Sequence, residues 1–242
     1  MKTVCHRLET TPLRPSWIRT PGRMQNTYAN ESFVDELAAA TDMDPLDFRL
    51  KYLDPADKRG IELLQRLAQL ANWQKQPSPQ KSTNGNVAKG HGMSYVKYEL
   101  VRTYVGVVAE VEVDRSTGEI RVPKFYVAHD CGQIINPDGL KNQLEGCVLQ
   151  TVSRTLIEEL KFNRSRVTSL DWDSYPILMF PQVPEIVIDL IDRPTEKPWA
   201  AGEPAASVIP SAISNAVFDA TGMRLRSIPY ILAKVKAAMQ GS

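Results

Sequence analysis

The sequence predicts an α+β fold, mixed sheets with packed helices, and three observations carry that prediction. Apolar residues recur at helical spacing over 30–73, and they switch to strict alternation over 103–128. Helical spacing then returns over 140–152 and again from about Pro210.

Taken in order, the chain begins with an extended, Pro-interrupted stretch. Asn30 is a good N-cap for a helix whose Phe33, Val34, Leu37 and Ala38 form one apolar face. Asp44 followed by Pro45 suits the start of a second short helix, with Leu46, Leu50 and Leu53 inward. A third helix is expected from about 60 to 73, with Ile61, Leu64, Leu67, Leu70 and Ala71 at core spacing. Residues 74–92, QKQPSPQKSTNGNVAKGHG, combine Pro, Ser, Asn, Gly and Lys and read as an exposed linker between a helical part, 1–73, and a second part, 93–242.

Beyond the linker, Val105, Val107, Ala109, Val111 and Val113 alternate with Tyr104, Val108, Glu110, Glu112 and Asp114, the pattern of a half-buried strand. DRSTGE supplies a turn at Gly118 and IRVPKFYVA a partner strand, on which Pro123 suggests an edge position. The helix after this hairpin turns Leu140, Leu144, Val148 and Val152 inward and leaves Gln143, Gly146, Cys147 and Gln150 on another stripe. A further strand is expected at 186–191. From about Pro210, Ile213, Ala216, Val217 and Ala220 mark an amphipathic helix, with Gly222 where a left-handed C-cap belongs.

Composition excludes several classes. With 29 basic against 28 acidic residues and no basic stripe, nucleic acid is not an expected partner. No apolar run reaches membrane-spanning length, so an integral membrane protein is not expected. The first 20 residues are broken by Arg7, Glu9, Arg14 and Arg19, so no signal peptide is read; a soluble protein is expected, with cytoplasm and periplasm both open. Cys5, Cys131 and Cys147 are far apart, which rules out a self-contained Fe–S cluster, and His6, His91 and His129 add no convincing zinc set. No Ser elbow, Cys and His pairing or paired carboxylates of a hydrolase are evident.

One carboxylate stands out. Ala200, Ala201 and Gly202 strip side-chain volume from the approach to Glu203, and Pro204 stiffens the exit toward the helix. Glu203 is therefore either a base presented to a bulky ligand or a plain complement to the positive end of a helix dipole.

Three ordered blocks bear on that choice. GEP, an Ala-rich helix, NAVFDATG, then an Arg-containing segment and a Pro resemble the C-terminal signature of the molybdopterin-binding subunits of the xanthine dehydrogenase and aldehyde oxidase family. HDCGQIINPDGLKNQLEGCVLQ, 129–150, resembles that family's cofactor segment, with a Gly turn and Asn-Pro before a helix bearing Gln-x-Glu-Gly. IRTPGRMQNTYANESFVDEL, 18–37, resembles the segment in which an Arg and a Gly-containing loop lead into a helix with Glu-Ser-x-x-Asp-Glu. The blocks span nearly the whole chain and are most similar to bacterial subunits of the isoquinoline oxidoreductase and nicotinate dehydrogenase type.

The resemblance implies the C-terminal portion of a molybdenum hydroxylase catalytic subunit, with 1–73 as the end of a first molybdopterin-binding domain and 93–242 as the second. It implies a molybdenum–molybdopterin cofactor, the cytosine dinucleotide form being one option, with the metal held through the pterin dithiolene and no protein ligand. Glu203 matches the base and Arg19 a group that orients or polarises substrate. Gln143 matches a pterin contact, and Cys131, Gly132, Gly146 and Gly202 match loop contacts. The implied reaction is water-derived hydroxylation of an N-heterocycle or oxidation of an aldehyde. Electrons would pass to a 2Fe–2S subunit, with a cytochrome as a further acceptor left open. An N-terminal region of the subunit, or a separate chain, is expected to supply the missing Gly-rich loops. Two departures stand: the RTPG loop around Arg19 differs from the Phe-Gly-Gly form of xanthine-specific relatives, and Trp199 and Ala200 replace a smaller lead-in. The alternative is a non-catalytic fragment or assembly module that folds on a partner chain and holds no cofactor alone.

Overall fold

The computed structural model describes residues 16–80, 85–99 and 102–240, with positions 4, 6, 9–11 and 13; Cys5, Arg7 and Arg14 lie outside the described residues. A four-stranded sheet organises them in the order β1 (Val87–Tyr98), β2 (Thr103–Asp114), β3 (Ile120–Asp130) and β4 (Glu185–Leu190). The first three strands form an antiparallel meander, and β4 adds parallel to β3. The helices are α1 (Arg23–Ala40), α2 (Pro45–Tyr52), α3 (Lys58–Leu70), α4 (Pro137–Leu156), α5 (Ile209–Thr221) and α6 (Leu232–Gln240).

Both faces of the sheet are covered. On one, Val105, Val107, Phe125 and Val127 pack with Leu144 and Val148 of α4 and Ile213 and Val217 of α5. On the other, Tyr104, Val108 and Ala128 meet Leu63, Leu64 and Leu67 of α3. The alternation in β2 therefore sorts residues between two cores rather than between core and water.

β1 was not expected, and it begins inside the segment read as linker. Its glycines are the reason. A Cβ at Gly92 would lie 2.1 Å from the Ala216 backbone nitrogen, and one at Gly90 would lie 2.5 Å from the Ala216 carbonyl oxygen. Both admit α5 to the strand instead of making a turn. Residues 87–92 thus belong to the sheet, and α3 ends at Leu70, three residues before the expected stop.

Pro123 is not on an edge strand, since β3 lies between β2 and β4. It sits instead at the register shift between Glu110 and Glu112 of β2, and the β4 ladder starts only at Lys124. A proline tolerates that position because no ladder hydrogen bond is asked of it.

Helix α1 starts seven residues before Asn30, at Arg23, and its expected apolar face is split, with Ala38 buried and Phe33 and Leu37 turned outward. Phe33 is 58% exposed, while Glu31, Ser32 and Asp35 are buried. The buried carboxylates are partnered: Glu31 accepts from Arg49 Nε at 3.0 Å and from the Tyr95 N–H at 2.8 Å, and Asp35 accepts from Arg224 at 2.8 Å. Burial pushes both carboxyls up, opposed by these guanidiniums. The network ties α1 to α2, β1 and the stretch after α5. Helix α5 is likewise not amphipathic, because Ser211, Ser214, Asn215 and Asp219 are buried along with its apolar residues; it ends, as expected, at Gly222 with φ 75°.

Candidate active site

The segment entering α1 lies against the turn that precedes α5. There the backbone N–H of Thr20 donates to Glu203 Oε2 at 2.9 Å, and the Tyr98 hydroxyl donates to Glu203 Oε1 at 2.5 Å. Glu203 occupies the cap position of the 3-10 turn Pro204–Ser207, yet its side chain makes no capping hydrogen bond. Both carboxylate oxygens are held by residues from elsewhere in the chain.

Arg19 fixes the neighbouring backbone. Its Nε donates to the Gly202 carbonyl at 2.7 Å, and Nη2 reaches the same oxygen. Nη2 also donates to Gln143 Oε1 at 2.6 Å and Nη1 to Gln150 Oε1 at 3.3 Å. The two glutamines stand two turns apart on one face of α4, whose opposite face is anchored by Leu140, Leu144, Val148 and Val152. The start of α4 is set by Pro137 at its first position and by Asn136, whose side chain accepts from the Gly139 N–H at 3.0 Å.

Between the glutamines, a Cβ at Gly146 would meet only Arg19 Nη1, at 3.8 Å, so the floor there is open. Cys147 is buried, with Sγ 3.5 Å from the Gly202 carbonyl, and burial pushes its thiol up.

Arg19, Gln143, Gly146, Gly202 and Glu203 are thus brought together, whereas Cys131 and Gly132 engage a different segment. The Cys131 carbonyl accepts from the Trp199 N–H at 2.8 Å, and the Gly132 carbonyl accepts from the Arg193 N–H at 3.2 Å. A Cβ at Gly132 would stand 2.1 Å from the Lys197 carbonyl oxygen. These two residues hold the lead-in to residues 199–203 in place.

Sequence reasoning missed Tyr98 and Thr20. Tyr98 ends β1 on the side of Gly90, Gly92 and Ser94, the side that faces α5, and so points at the turn before that helix. Burial, reinforced by the Glu203 carboxylate, pushes the Tyr98 hydroxyl well above the usual phenol range, so it remains a donor. Arg23 lies over its ring, 5.7 Å from the centroid. The signal that could have found Tyr98 was the alternation of β1, concealed by its glycines.

The family model described as a molybdopterin cofactor-binding domain matches residues 101–184, which include β2, β3 and the glutamine-bearing helix. The B subunit of nicotinate dehydrogenase from Pseudomonas putida is 41% identical over 96% of this chain. The chain belongs to the molybdopterin-binding subunits of the xanthine dehydrogenase family. The beta subunit of isoquinoline 1-oxidoreductase from Brevundimonas diminuta is 31% identical over 91% of this chain. The fold is also similar to that of the aldehyde oxidoreductase from Desulfovibrio gigas, with a TM-score of 0.76 over 93% of this chain and 42% of that one, at 16% identity. The chain spans 20% of the length of the nicotinate dehydrogenase subunit and 27% of the isoquinoline oxidoreductase subunit.

Proposed function

We propose that this chain supplies the general base and part of the cofactor wall of a molybdenum hydroxylase acting on an N-heterocycle or an aldehyde. The observation that carries the reading is the treatment of Glu203, whose carboxylate is held by Thr20 and Tyr98 and contributes nothing to capping the helix behind it.

The donor set beside it fits a molybdopterin. Arg19 occupies the carbonyl oxygens of Gln143 and Gln150, which leaves both amide nitrogens without hydrogen bonds among the described residues. Two amide donors, one guanidinium and an open glycine floor suit a flat, polar, anionic group. Gln143 and Gln150 would hold its polar edge, with Gly146 allowing close approach. When bound, the cofactor supplies two-electron oxidation of a substrate carbon with water as the oxygen source, in either its simple or its cytosine dinucleotide form.

Glu203 is the group that takes up the proton. A carboxylate offers about four lone-pair sites, so the donors from Thr20 and Tyr98 leave others available. A positioned base of this kind contributes about 10²–10⁴-fold to rate. Arg19, fixed through the Gly202 carbonyl, holds the backbone beside Glu203 and sets positive charge next to the substrate. Residues 1–73 would close the first cofactor domain, and the second would begin with β1 at Val87. The remaining wall comes from an N-terminal part of the subunit or a separate chain, and electrons leave through a 2Fe–2S subunit, with a cytochrome as a further acceptor. That the relatives are themselves subunits of larger enzymes supports partner chains. No helix among the described residues is long and apolar enough to cross a membrane.

Glu203→Gln in the complete assembly is the test. Turnover is expected to vanish while molybdenum and pterin stay bound; near-normal turnover removes Glu203 from the role.

A further inference from the structure

Arg154 lies one turn beyond Gln150 on α4, continuing the stripe of Gln143 and Gln150. Its Nη1 is buried and has no hydrogen-bond partner. No ion pair or hydrogen bond reaches this guanidinium from any described residue. Glu158, the acid one turn further along, instead accepts from the Tyr175 hydroxyl at 2.8 Å. Burial lowers the proton affinity of Arg154; the charge of Glu158 opposes that without reaching Nη1, and the like charge of Arg19 adds to it. Placement in the last turn of a helix favours a cation weakly, but that gain is met by an exposed side chain and does not require one nitrogen to be taken out of water unpaired.

We propose that Arg154, with the free amide of Gln150 and the charge of Arg19, forms a subsite for an oxyanion carried by a ligand of this site. An oxyanion relieves the repulsion between the two guanidiniums and supplies the acceptor that Nη1 lacks. Four of the five Arg19 N–H donors are spent on Gly202, Gln143 and Gln150, so Arg154 has more donors to give. Two sources share this chemistry: a phosphate of the cofactor and a carboxylate on a ring substrate. The choice between them rests on the hydroxylase reading above, but the existence of the oxyanion site does not.

The test compares wild type with Arg154→Gln and Arg154→Lys, the latter retaining charge. Inorganic phosphate is titrated against thermal unfolding of the full chain. Molybdenum and pterin content and KM for a carboxylated ring and its carboxyl-free analogue are measured in the complete assembly. Arg154→Gln is expected to abolish the phosphate-dependent rise in Tm, and Arg154→Lys to keep part of it. If the oxyanion is the cofactor's, Arg154→Gln also lowers molybdenum and pterin content together. If it is the substrate's, content is unchanged and KM rises roughly tenfold or more for the carboxylated ring alone. Wild type and Arg154→Gln responding alike to phosphate, with content and both KM values unchanged, overturns the proposal. An assembly devoid of molybdenum in every variant, with the phosphate response still lost in Arg154→Gln, sinks the hydroxylase reading and leaves the oxyanion site standing.

Discussion

The hydroxyl of Tyr98 and the carboxylate of Glu203 meet at 2.5 Å across 105 residues of sequence, joining the end of the first strand to the turn that opens the last buried helix. The contact couples sheet and site: whatever fixes β1 against α5 also fixes the direction of the carboxylate. Tyr98→Phe keeps the ring and removes only the donor. A hydrogen bond to a charged group is worth about 1.5–3 kcal/mol, so kcat is expected to fall by roughly one to two orders of magnitude with molybdenum content unchanged. Loss of cofactor along with rate would show that Tyr98 shapes the pocket rather than the base.

Gly146 separates folding from binding. A Cβ there would meet no described residue closer than Arg19 Nη1 at 3.8 Å, so Gly146→Leu is expected to leave Tm within a few degrees of wild type. The same leucine fills the floor between Gln143 and Gln150. Molybdenum and pterin content should therefore drop several-fold, and a variant that retains both in full places the cofactor elsewhere.

Gly92→Ala acts on the first strand of the sheet, on the side where α5 crosses it. Its Cβ would fall 2.1 Å from the Ala216 backbone nitrogen and 2.7 Å from the Ala212 carbonyl oxygen, neither of which can rotate away. Overpacking of this kind typically costs about 1–3 kcal/mol and more where backbone is struck. The expected outcome is a fall in the denaturant midpoint together with a drop in kcat, because α5 carries the Glu203 turn with it.

These two glycines show what the sequence could and could not disclose. Periodicity located α2, α4, the β2–β3 hairpin and β4 because their apolar residues repeat cleanly, and the Asp44 cap and Gly222 terminus stand where those residue types belong. It failed at β1, where Gly90 and Gly92 resemble turn residues but serve close packing. It failed again at α1, where Glu31 and Asp35 face inward because Arg49 and Arg224 meet them, a pairing set by tertiary contact alone. Within the proposed site, Glu203 stood out from its small-residue turn, whereas Arg19, Gln143 and Gly146 were reached through the resemblance of their segments to the family's. Tyr98 was not, since its role depends on a strand that the pattern hid.

His129 provides a pH test of the core. The side chain is fully buried on β3, and among the described residues neither ring nitrogen has a hydrogen-bond partner. Burial pushes its pKa down to about 4, from an ordinary value near 6.5. Above pH 6.5 the ring is neutral in both folded and unfolded chains and adds no pH dependence. As pH falls through 6.5 the unfolded chain takes up a proton that the folded chain refuses, so stability declines until about pH 4, where the folded form also protonates. Across that window the loss amounts to about 3 kcal/mol. His129→Leu, close in volume and without a proton to bind, should remove this slope and leave only the acid loss due to carboxylates such as Asp130, which Arg59 and Arg193 hold below the usual range. Urea denaturation at half-unit steps between pH 7 and pH 4 measures the difference. Parallel curves for wild type and His129→Leu would mean that the imidazole is protonated, or hydrated, inside the fold.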